Sequence, residues 1–165
     1  MASWFAVDHL DVERLLTDWR WLCPNRMSLV ARNVFGDLFL CDEAGEIHRL
    51  DVGVGKLLTV AHSKAQFVEL ATAKREDWFA QSDMDAAATR GLKPNETQCI
   101  GFSVPVVFRE GGAPDTAYIA DLYEYVSFLG ISTSRSRICQ MEHRCGSLLG
   151  QVTVPRRLSD NACFC

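Results

Sequence analysis

The sequence predicts an α+β fold, in which a mostly antiparallel, twisted sheet made of a meander and two long strands is flanked by about three helices. Apolar residues recur at helical spacing near the N-terminus, and alternating strand patterns separated by glycine turns follow them. Two further helical segments then precede two more strand patterns. With 165 residues, 48% of them hydrophobic, the chain is long enough to bury a core.

The first predicted helix begins at Asp8, has Asp11 in its first turn and ends before Pro24, which cannot continue a helix. Its apolar residues recur three and four positions apart and therefore share one face. They are Val12, Leu15, Leu16, Trp19 and Leu22. We expect this face to be part of the core.

Residues 33–56, NVFGDLFLCDEAGEIHRLDVGVGK, are the most strongly patterned stretch of the chain. Two alternating segments flank a turn at residues 42–45, which predicts a β-hairpin. Gly53 and Gly55 lead into a third strand, KLLTVA, and complete the meander. His48 lies on the apolar face of its strand and is interpreted as a core histidine.

These glycines do not predict a phosphate-binding loop. Leu50 stands where the pattern G-x-x-x-x-G-K-[ST] has its first glycine, and Leu57 follows the lysine in place of a hydroxyl residue. We therefore expect no nucleotide or other cofactor.

Two helices are predicted after the meander. Ser63 begins the first, with Gln66 completing a capping box, and Lys74 interrupts its apolar face. The second, shorter helix begins at Ser82 and ends at Gly91.

Two strands are predicted next. CIGFSVPVVF, residues 99–108, contains Pro105 and therefore belongs at an edge or a bulge. TAYIADLYEYVSFLG, residues 116–130, alternates, and its aromatic and β-branched content favours a long strand over a helix. We expect both strands to return to the first sheet.

The charge distribution divides the chain into two predicted parts. Residues 1–130, the predicted α+β domain, hold 12 Lys and Arg against 19 Asp and Glu. Residues 131–165 hold 5 against 2 and form a divergent, basic, cysteine-rich C-terminal tail of uncertain order. An acidic body is poorly suited to bind nucleic acid directly, because phosphate neutralisation supplies most of that affinity, but it suits docking onto a basic protein surface.

The sequence predicts a cytoplasmic protein with reduced thiols. No segment reaches the ~20 apolar residues of a membrane span, and the acidic N-terminus is unlike a signal peptide. Cys41 and Cys99 lie in strand patterns, where cysteine is usually a small buried hydrophobe. Cys139, Cys145, Cys163 and Cys165, with His143 among them, match none of the common zinc spacings, so no metal is predicted.

No catalytic residue is predicted. The chain has no G-x-S-x-G nucleophile elbow, and a cysteine beside His143 in sequence seldom has the geometry of a nucleophile with its base. Two of the three hairpin acids Asp37, Asp42 and Asp51 could form a catalytic carboxylate pair. We interpret these acids instead as a solvated rim. The sequence therefore predicts a protein that is not an enzyme.

The candidate partner-binding residues are acids and tyrosines that we expect to be exposed. They are Asp83, Asp85, Asp115, Asp121, Tyr123, Glu124 and Tyr125. Such a surface can recognise a basic partner, and the alternative interpretation is an ordinary solvated face.

Five stretches of the chain, taken in order, resemble one family over residues 7–130. They are FGDLFLCDEAGEIHRLDVGVGKL, SKAQFVELA, EDWF, LKPNETQCIGFSVPVVF and DLYEYVSFLG. The most specific pieces are FGDLF at 35–39, Leu50-Asp51-x-x-x-Gly55, Gln98-Cys99 with Pro105, and Phe128-Leu129-Gly130. Together they resemble the C-terminal domain of bacterial type VI secretion system immunity proteins, which are often found behind GAD-like segments.

The resemblance implies a cytoplasmic antitoxin that binds and inhibits a cognate effector toxin, a DNase in some members, without catalysis. The chain departs from the family because most of a GAD-like segment is absent and because the residues after Gly130 differ. Two alternatives remain: a ligand-binding regulatory module with Trp19, Trp78 and Tyr123 around a pocket, and a hydrolase that uses the hairpin carboxylates. Self-association also remains open.

Overall fold

A computed structural model describes residues 7–104 and 114–148, with side chains up to residue 136. The α-helices are α1 (Val12–Leu15), α2 (Lys64–Ala73), α3 (Arg75–Phe79), α4 (Gln81–Thr89) and α5 (Leu122–Leu148). The strands are β1 (Ser28–Arg32), β2 (Leu38–Cys41), β3 (Ile47–Asp51), β4 (Lys56–Ala61), β5 (Gln98–Phe102) and β6 (Ala117–Asp121). Short 3-10 turns lie at Thr17–Trp19 and Pro114–Thr116.

The first four strands form an antiparallel meander in the order β1-β2-β3-β4, so the predicted α+β class and hairpin are confirmed. The turn between β2 and β3 closes with a hydrogen bond from the Gly45 N–H to the Asp42 carbonyl oxygen. Gly45 has a φ of +86°, a backbone conformation that glycine adopts without a steric penalty.

Both faces of the meander carry buried side chains, and successive side chains of each strand point to opposite faces. On one face, Leu38, Leu40 and Leu50 pack in a cluster with the N-terminal segment and α5. On the other, Phe39 packs against aromatic side chains of α2 and α3, with ring centroids 5.2–5.6 Å apart. The sheet is therefore a central layer.

The N-terminal helix is shorter than predicted. Asp11, and not Asp8, caps α1 by accepting a hydrogen bond from the Arg14 N–H, and the chain then tightens into a 3-10 turn that ends at Trp19. The predicted apolar face is nevertheless buried at Leu15, Leu16 and Trp19.

The capping prediction for α2 is confirmed in part. The Ser63 hydroxyl accepts from the Gln66 N–H, but the Gln66 side chain accepts from the N–H of His62, one residue before the cap.

The prediction that Ser82 begins the next helix was wrong. α4 begins after Ala80, whose φ is +47°, and the Glu76 carboxylate accepts from the Ser82 N–H. Gly91, with a φ of +85°, follows α4 as predicted.

The long strand predicted for residues 116–130 is wrong after Asp121, where α5 begins. Leu122, Tyr125, Val126 and Leu129 are buried, which is helical spacing, and strand alternation would place Leu122 and Tyr125 on opposite faces. β5 and β6 are five residues each and pair with one another in a separate two-stranded sheet, so the expected return to the first sheet is wrong too. The predicted effect of Pro105 lies outside the described residues.

Contacts between β1 and the β5 region hold the two sheets together. The Ile100 N–H donates to the Val34 carbonyl oxygen at 2.7 Å, and the Arg32 guanidinium donates to the carbonyl oxygens of Gln98, Asn95 and Glu96 at 2.8–3.2 Å. These bonds fix the position of β5 and β6, from which α5 starts.

The chain divides into two compact units, residues 1–134 and 135–165. The predicted boundary after residue 130 falls within α5, four residues before this division. Within the described residues, no helix has the length and apolar character to cross a membrane.

Candidate functional site

Asp121 fixes the start of α5. Its Oδ1 accepts hydrogen bonds from the Tyr123 N–H at 2.9 Å and the Glu124 N–H at 3.1 Å, and the Leu122 N–H donates to the Thr97 carbonyl oxygen. A carboxylate at this place also interacts favourably with the positive end of the helix dipole. The first turns of α5 are therefore held rigidly against β6.

Tyr125 is a buried side chain in the first turn of α5. Its hydroxyl accepts a hydrogen bond from the Phe102 N–H at 3.2 Å, and its ring meets the Tyr118 ring edge-on at 6.5 Å. A Cβ on Gly101 would lie 2.9 Å from this ring, so glycine is needed where β5 passes it. Burial raises the pKa of Tyr125 to about 12. The side chain is therefore a neutral structural element, and the expectation that it is exposed was wrong.

One concavity on which Tyr125 borders is the β6–α5 groove, with a volume of about 360 Å³. It is lined by Tyr118, Ile119, Ala120, Asp121, Glu124, Tyr125 and Phe128. Tyr118, Ile119 and Phe128 are 43%, 37% and 53% exposed and line the same concavity, and Asp121 and Glu124 lie exposed among them. Exposed aromatic side chains beside charged groups are typical of protein-binding surfaces.

Tyr125 also borders a second concavity, the hairpin cleft, with a volume of about 240 Å³. Its polar lining is Asn33, Asp37, Arg49, Asp51, Asp77 and Asp83. Its aromatic lining is Phe35, Trp78, Phe102 and Tyr125. The described residues that line the groove and the cleft include six carboxylates and one guanidinium, that of Arg49.

A buried ion pair forms part of the cleft. Asp37 Oδ2 accepts from Arg49 Nη2 at 2.6 Å, from Arg49 Nε at 3.2 Å and from Asn33 Nδ2 at 2.9 Å, and Oδ1 accepts from the Val52 N–H at 3.1 Å. Burial raises the pKa of Asp37, and the Arg49 charge opposes this rise. With four donors, Asp37 has little freedom to act as a nucleophile or base.

The prediction that the hairpin acids form a solvated rim was therefore wrong for Asp37. Asp51 is half-buried, accepts from the Val54 N–H and lines the cleft. Asp42 lies in the turn between β2 and β3, where it bonds His48. Two of the three acids thus share the cleft, and the third belongs to a different cluster.

Four of the seven predicted partner-binding residues lie on the two concavities: Asp83 on the cleft, and Asp121, Glu124 and Tyr125 on the groove. Asp85 is exposed on α4 and accepts from Gln81 Nε2, and Asp115 is exposed in the second 3-10 turn. Tyr123 has a structural contact, because its hydroxyl accepts from the Asp11 N–H at 2.9 Å.

Sequence reasoning missed the apolar part of the groove. Phe128 lies outside the set Leu122, Tyr125, Val126 and Leu129, and this periodicity could have marked it as exposed. The ligand pocket predicted around three aromatic residues was wrong: Trp19 is fully buried, and only Trp78 lines the cleft.

Metal-ligating side chains come together at the β2–β3 turn, where Asp42, Glu46 and His48 place donor atoms within 4.8 Å of one another. Cys163 and Cys165 lie outside the described residues, and only the backbone is described for Cys139, His143 and Cys145.

Comparisons with protein-family models, with curated proteins and with solved structures found no match to this chain.

Proposed function

We propose that this chain is a bacterial, cytoplasmic immunity protein that binds and inhibits a cognate type VI secretion effector toxin and has no catalytic activity. The observation that carries the proposal is the acidic, partly apolar surface on either side of Tyr125. It joins the exposed Tyr118 and Phe128 to the carboxylates of Asp83 and Glu124.

The composition of this surface supports binding to a protein. Aromatic side chains that lose their remaining exposure on binding supply most of the affinity at protein interfaces, and charged groups around them set orientation and rate. Phe128 and Tyr118 are on rigid elements, since α5 and β6 are fixed by the Asp121 cap and by strand pairing. Little ordering of the backbone is then needed on binding.

The charge of the surface indicates the chemistry of the partner. Six carboxylates against one guanidinium favour a basic protein surface, such as the site of a toxin that acts on nucleic acid. An acidic inhibitor that occupies such a site excludes the phosphates of the substrate. Inhibition would then need no chemistry from this chain.

Co-expression with the toxin encoded beside this gene tests the proposal. We expect the wild-type chain to protect cells and to form a complex with the purified toxin. Glu124→Lys and Phe128→Ala should each weaken binding by about tenfold or more, because truncating an interface anchor or reversing a rim charge costs at least ~1–2 kcal/mol.

The matched control is Glu69→Lys, which reverses an exposed acid on α2, a helix that packs in the other core cluster. It should leave binding and protection unchanged. If the wild-type chain neither binds nor protects against any toxin encoded beside it, or if Glu69→Lys weakens binding as much as Glu124→Lys does, the proposal is wrong.

A ligand-binding module is the second candidate, because the hairpin cleft combines carboxylates with aromatic walls and suits a small organic cation. Thermal-shift measurements with arginine, agmatine and spermidine distinguish the two. A stabilisation that Asp83→Asn removes would favour this candidate, and no stabilisation by any of the three would count against it.

A further inference from the structure

We propose that the β2–β3 turn holds a binding site for a divalent transition-metal ion of the zinc class. Asp42, Glu46 and His48 are half-buried, and each offers one ligand atom within 4.8 Å of the others. The proposed metal site lies outside both the groove and the cleft, so it does not depend on the proposed function.

The spacing of the donor atoms suits such an ion. His48 Nε2 lies 3.0 Å from Asp42 Oδ2. Ligands at ~2.0–2.1 Å from a tetrahedral zinc ion are about 3.3 Å from one another. The histidine and aspartate atoms are therefore already close to this separation, and Glu46 needs only a small side-chain movement to join them.

Groups around the cluster orient its ligands as metal sites require. Asp42 Oδ1 accepts from the Glu46 N–H at 2.9 Å, which turns Oδ2 toward His48. Thr59 Oγ1, on the neighbouring strand, lies 3.1 Å from His48 Nδ1. A hydrogen bond from the second ring nitrogen to an oxygen acceptor fixes the orientation of a histidine ligand, and the Thr59 hydroxyl is placed to accept it.

The contact between Thr59 and His48 is compatible with a proton on either ring nitrogen of the imidazole. In the tautomer with its proton on Nε2, His48 donates to the Asp42 carboxylate and its Nδ1 accepts from the Thr59 hydroxyl. When Nε2 ligates a metal ion, the same neutral ring carries its proton on Nδ1 and donates it to the Thr59 oxygen. Thr59 can take either role, because a hydroxyl both donates and accepts.

A further imidazole lies next to the three-residue cluster. His62 Nδ1 lies 2.8 Å from Glu46 Oε1, and the His62 side chain is 76% exposed. His62 directly precedes Ser63, the cap of α2. A bound ion would thus connect the hairpin turn to the start of α2, and two carboxylates with two imidazoles form a ligand set that zinc accepts.

The test uses the full chain with the four C-terminal cysteines replaced by serine, which removes thiolate ligands. These are Cys139, Cys145, Cys163 and Cys165. Calorimetric titration with Zn²⁺ should show one site per chain. His48→Ala and Glu46→Gln should each weaken binding by at least about tenfold. His9→Ala, an exposed histidine that contacts the Glu96 carbonyl oxygen, is the matched control and should bind as the parent does.

Cobalt(II) spectra of the same chain, with the four cysteines replaced, identify the ligands. Nitrogen and oxygen ligation gives d–d bands without a thiolate charge-transfer band, and these bands should disappear in His48→Ala. The proposal is overturned if the chain with the four cysteine-to-serine replacements binds no Zn²⁺, or if its affinity is unchanged in both His48→Ala and Glu46→Gln. Circular dichroism in metal-free buffer establishes that the variants are folded, and Glu46→Gln, which keeps the side-chain shape, serves if His48→Ala does not fold.

Discussion

A Cβ atom on Gly130 would lie 2.8 Å from the backbone carbonyl oxygen of Asp18. The same atom would lie 3.0 Å from Trp19 Nε1, which donates a 2.9 Å hydrogen bond to the Val126 carbonyl oxygen. α5 therefore rests directly on the 3-10 turn at Thr17–Trp19, with no room for a side chain between them. This contact places α5, and with it one side of the groove and of the cleft.

Gly130→Ala should destabilise the protein by about 1–3 kcal/mol, because the new methyl group must displace backbone or break the Trp19 bond. The direction of this change in stability is informative, because replacing glycine with alanine within a helix ordinarily stabilises a protein by about 1 kcal/mol. Urea unfolding followed by tryptophan fluorescence measures the change. Ile131→Ala, at an exposed position of the same helix, should change stability by about 0.5 kcal/mol or less. A more stable Gly130→Ala variant would contradict the close approach.

Arg49→Gln should cost about 3–5 kcal/mol at neutral pH, because it leaves the buried Asp37 carboxylate without its cation. A carboxyl group whose folded-state pKa lies above its unfolded value weakens the fold as the pH rises between the two values. Burial already raises the pKa of Asp37, and loss of Arg49 raises it further. The stability lost in Arg49→Gln should therefore be largest at neutral pH. It should become smaller as the pH falls and Asp37 takes up a proton.

Two further variants control this experiment. Asp37→Asn combined with Arg49→Gln removes both charges and should be more stable at neutral pH than Arg49→Gln alone. Arg20→Gln breaks the exposed pair with Glu13 and should cost no more than about 1 kcal/mol. A deficit in Arg49→Gln that stays constant from neutral to acidic pH would show that lost packing, and not the uncompensated charge, is its cause.

Stability should fall as the pH rises above about 9, and Cys99 is one of the buried groups responsible, with Cys23 and Tyr125. Burial raises the pKa of the Cys99 thiol from 9.0 to about 12, so the folded chain keeps a proton that the unfolded chain loses. Cys99→Ala should therefore show a shallower fall between pH 9 and 12, whatever its stability at neutral pH. Denaturant unfolding at several pH values measures the slope. Ile100→Val removes packing on the same strand without removing a titrating group, and it should keep the wild-type slope.

Local signals predicted the meander and the start of α2 correctly, because turns and helix caps depend on neighbouring residues. The glycine at position 45 supplies a positive φ, and Ser63 caps α2 from its own side chain. The start of α5 also had a local signal: Asp121 followed three residues later by Glu124 is a capping pattern. The tyrosines and β-branched residues after it suggested a strand, and burial of the helical face outweighed that preference.

The candidate site was less predictable because its parts are distant in sequence. Asp37 looks like a rim acid until β3 brings Arg49 beside it, and both faces of the meander are covered by helices that the hairpin pattern does not reveal. Tyr125 looked like an exposed aromatic residue in a strand, whereas in a helix the same residue joins the core stripe. Asp121 and Glu124 were singled out as acids, which are rarely fully buried, although we expected them on a strand and the structure has them at the start of α5.

The association rate of the proposed complex with the toxin should fall by about tenfold or more between low and high salt, because mobile ions screen attraction between the acidic surface and a basic partner. The dissociation rate should change much less, since it depends on contacts such as those of Phe128. Replacing both Asp83 and Glu124 with their amides should flatten this dependence, whereas Asp85→Asn, which alters an acid on α4 outside the cleft, should not. Surface plasmon resonance at several salt concentrations measures both rates. An association rate that is independent of salt would contradict electrostatic steering even if the complex itself forms.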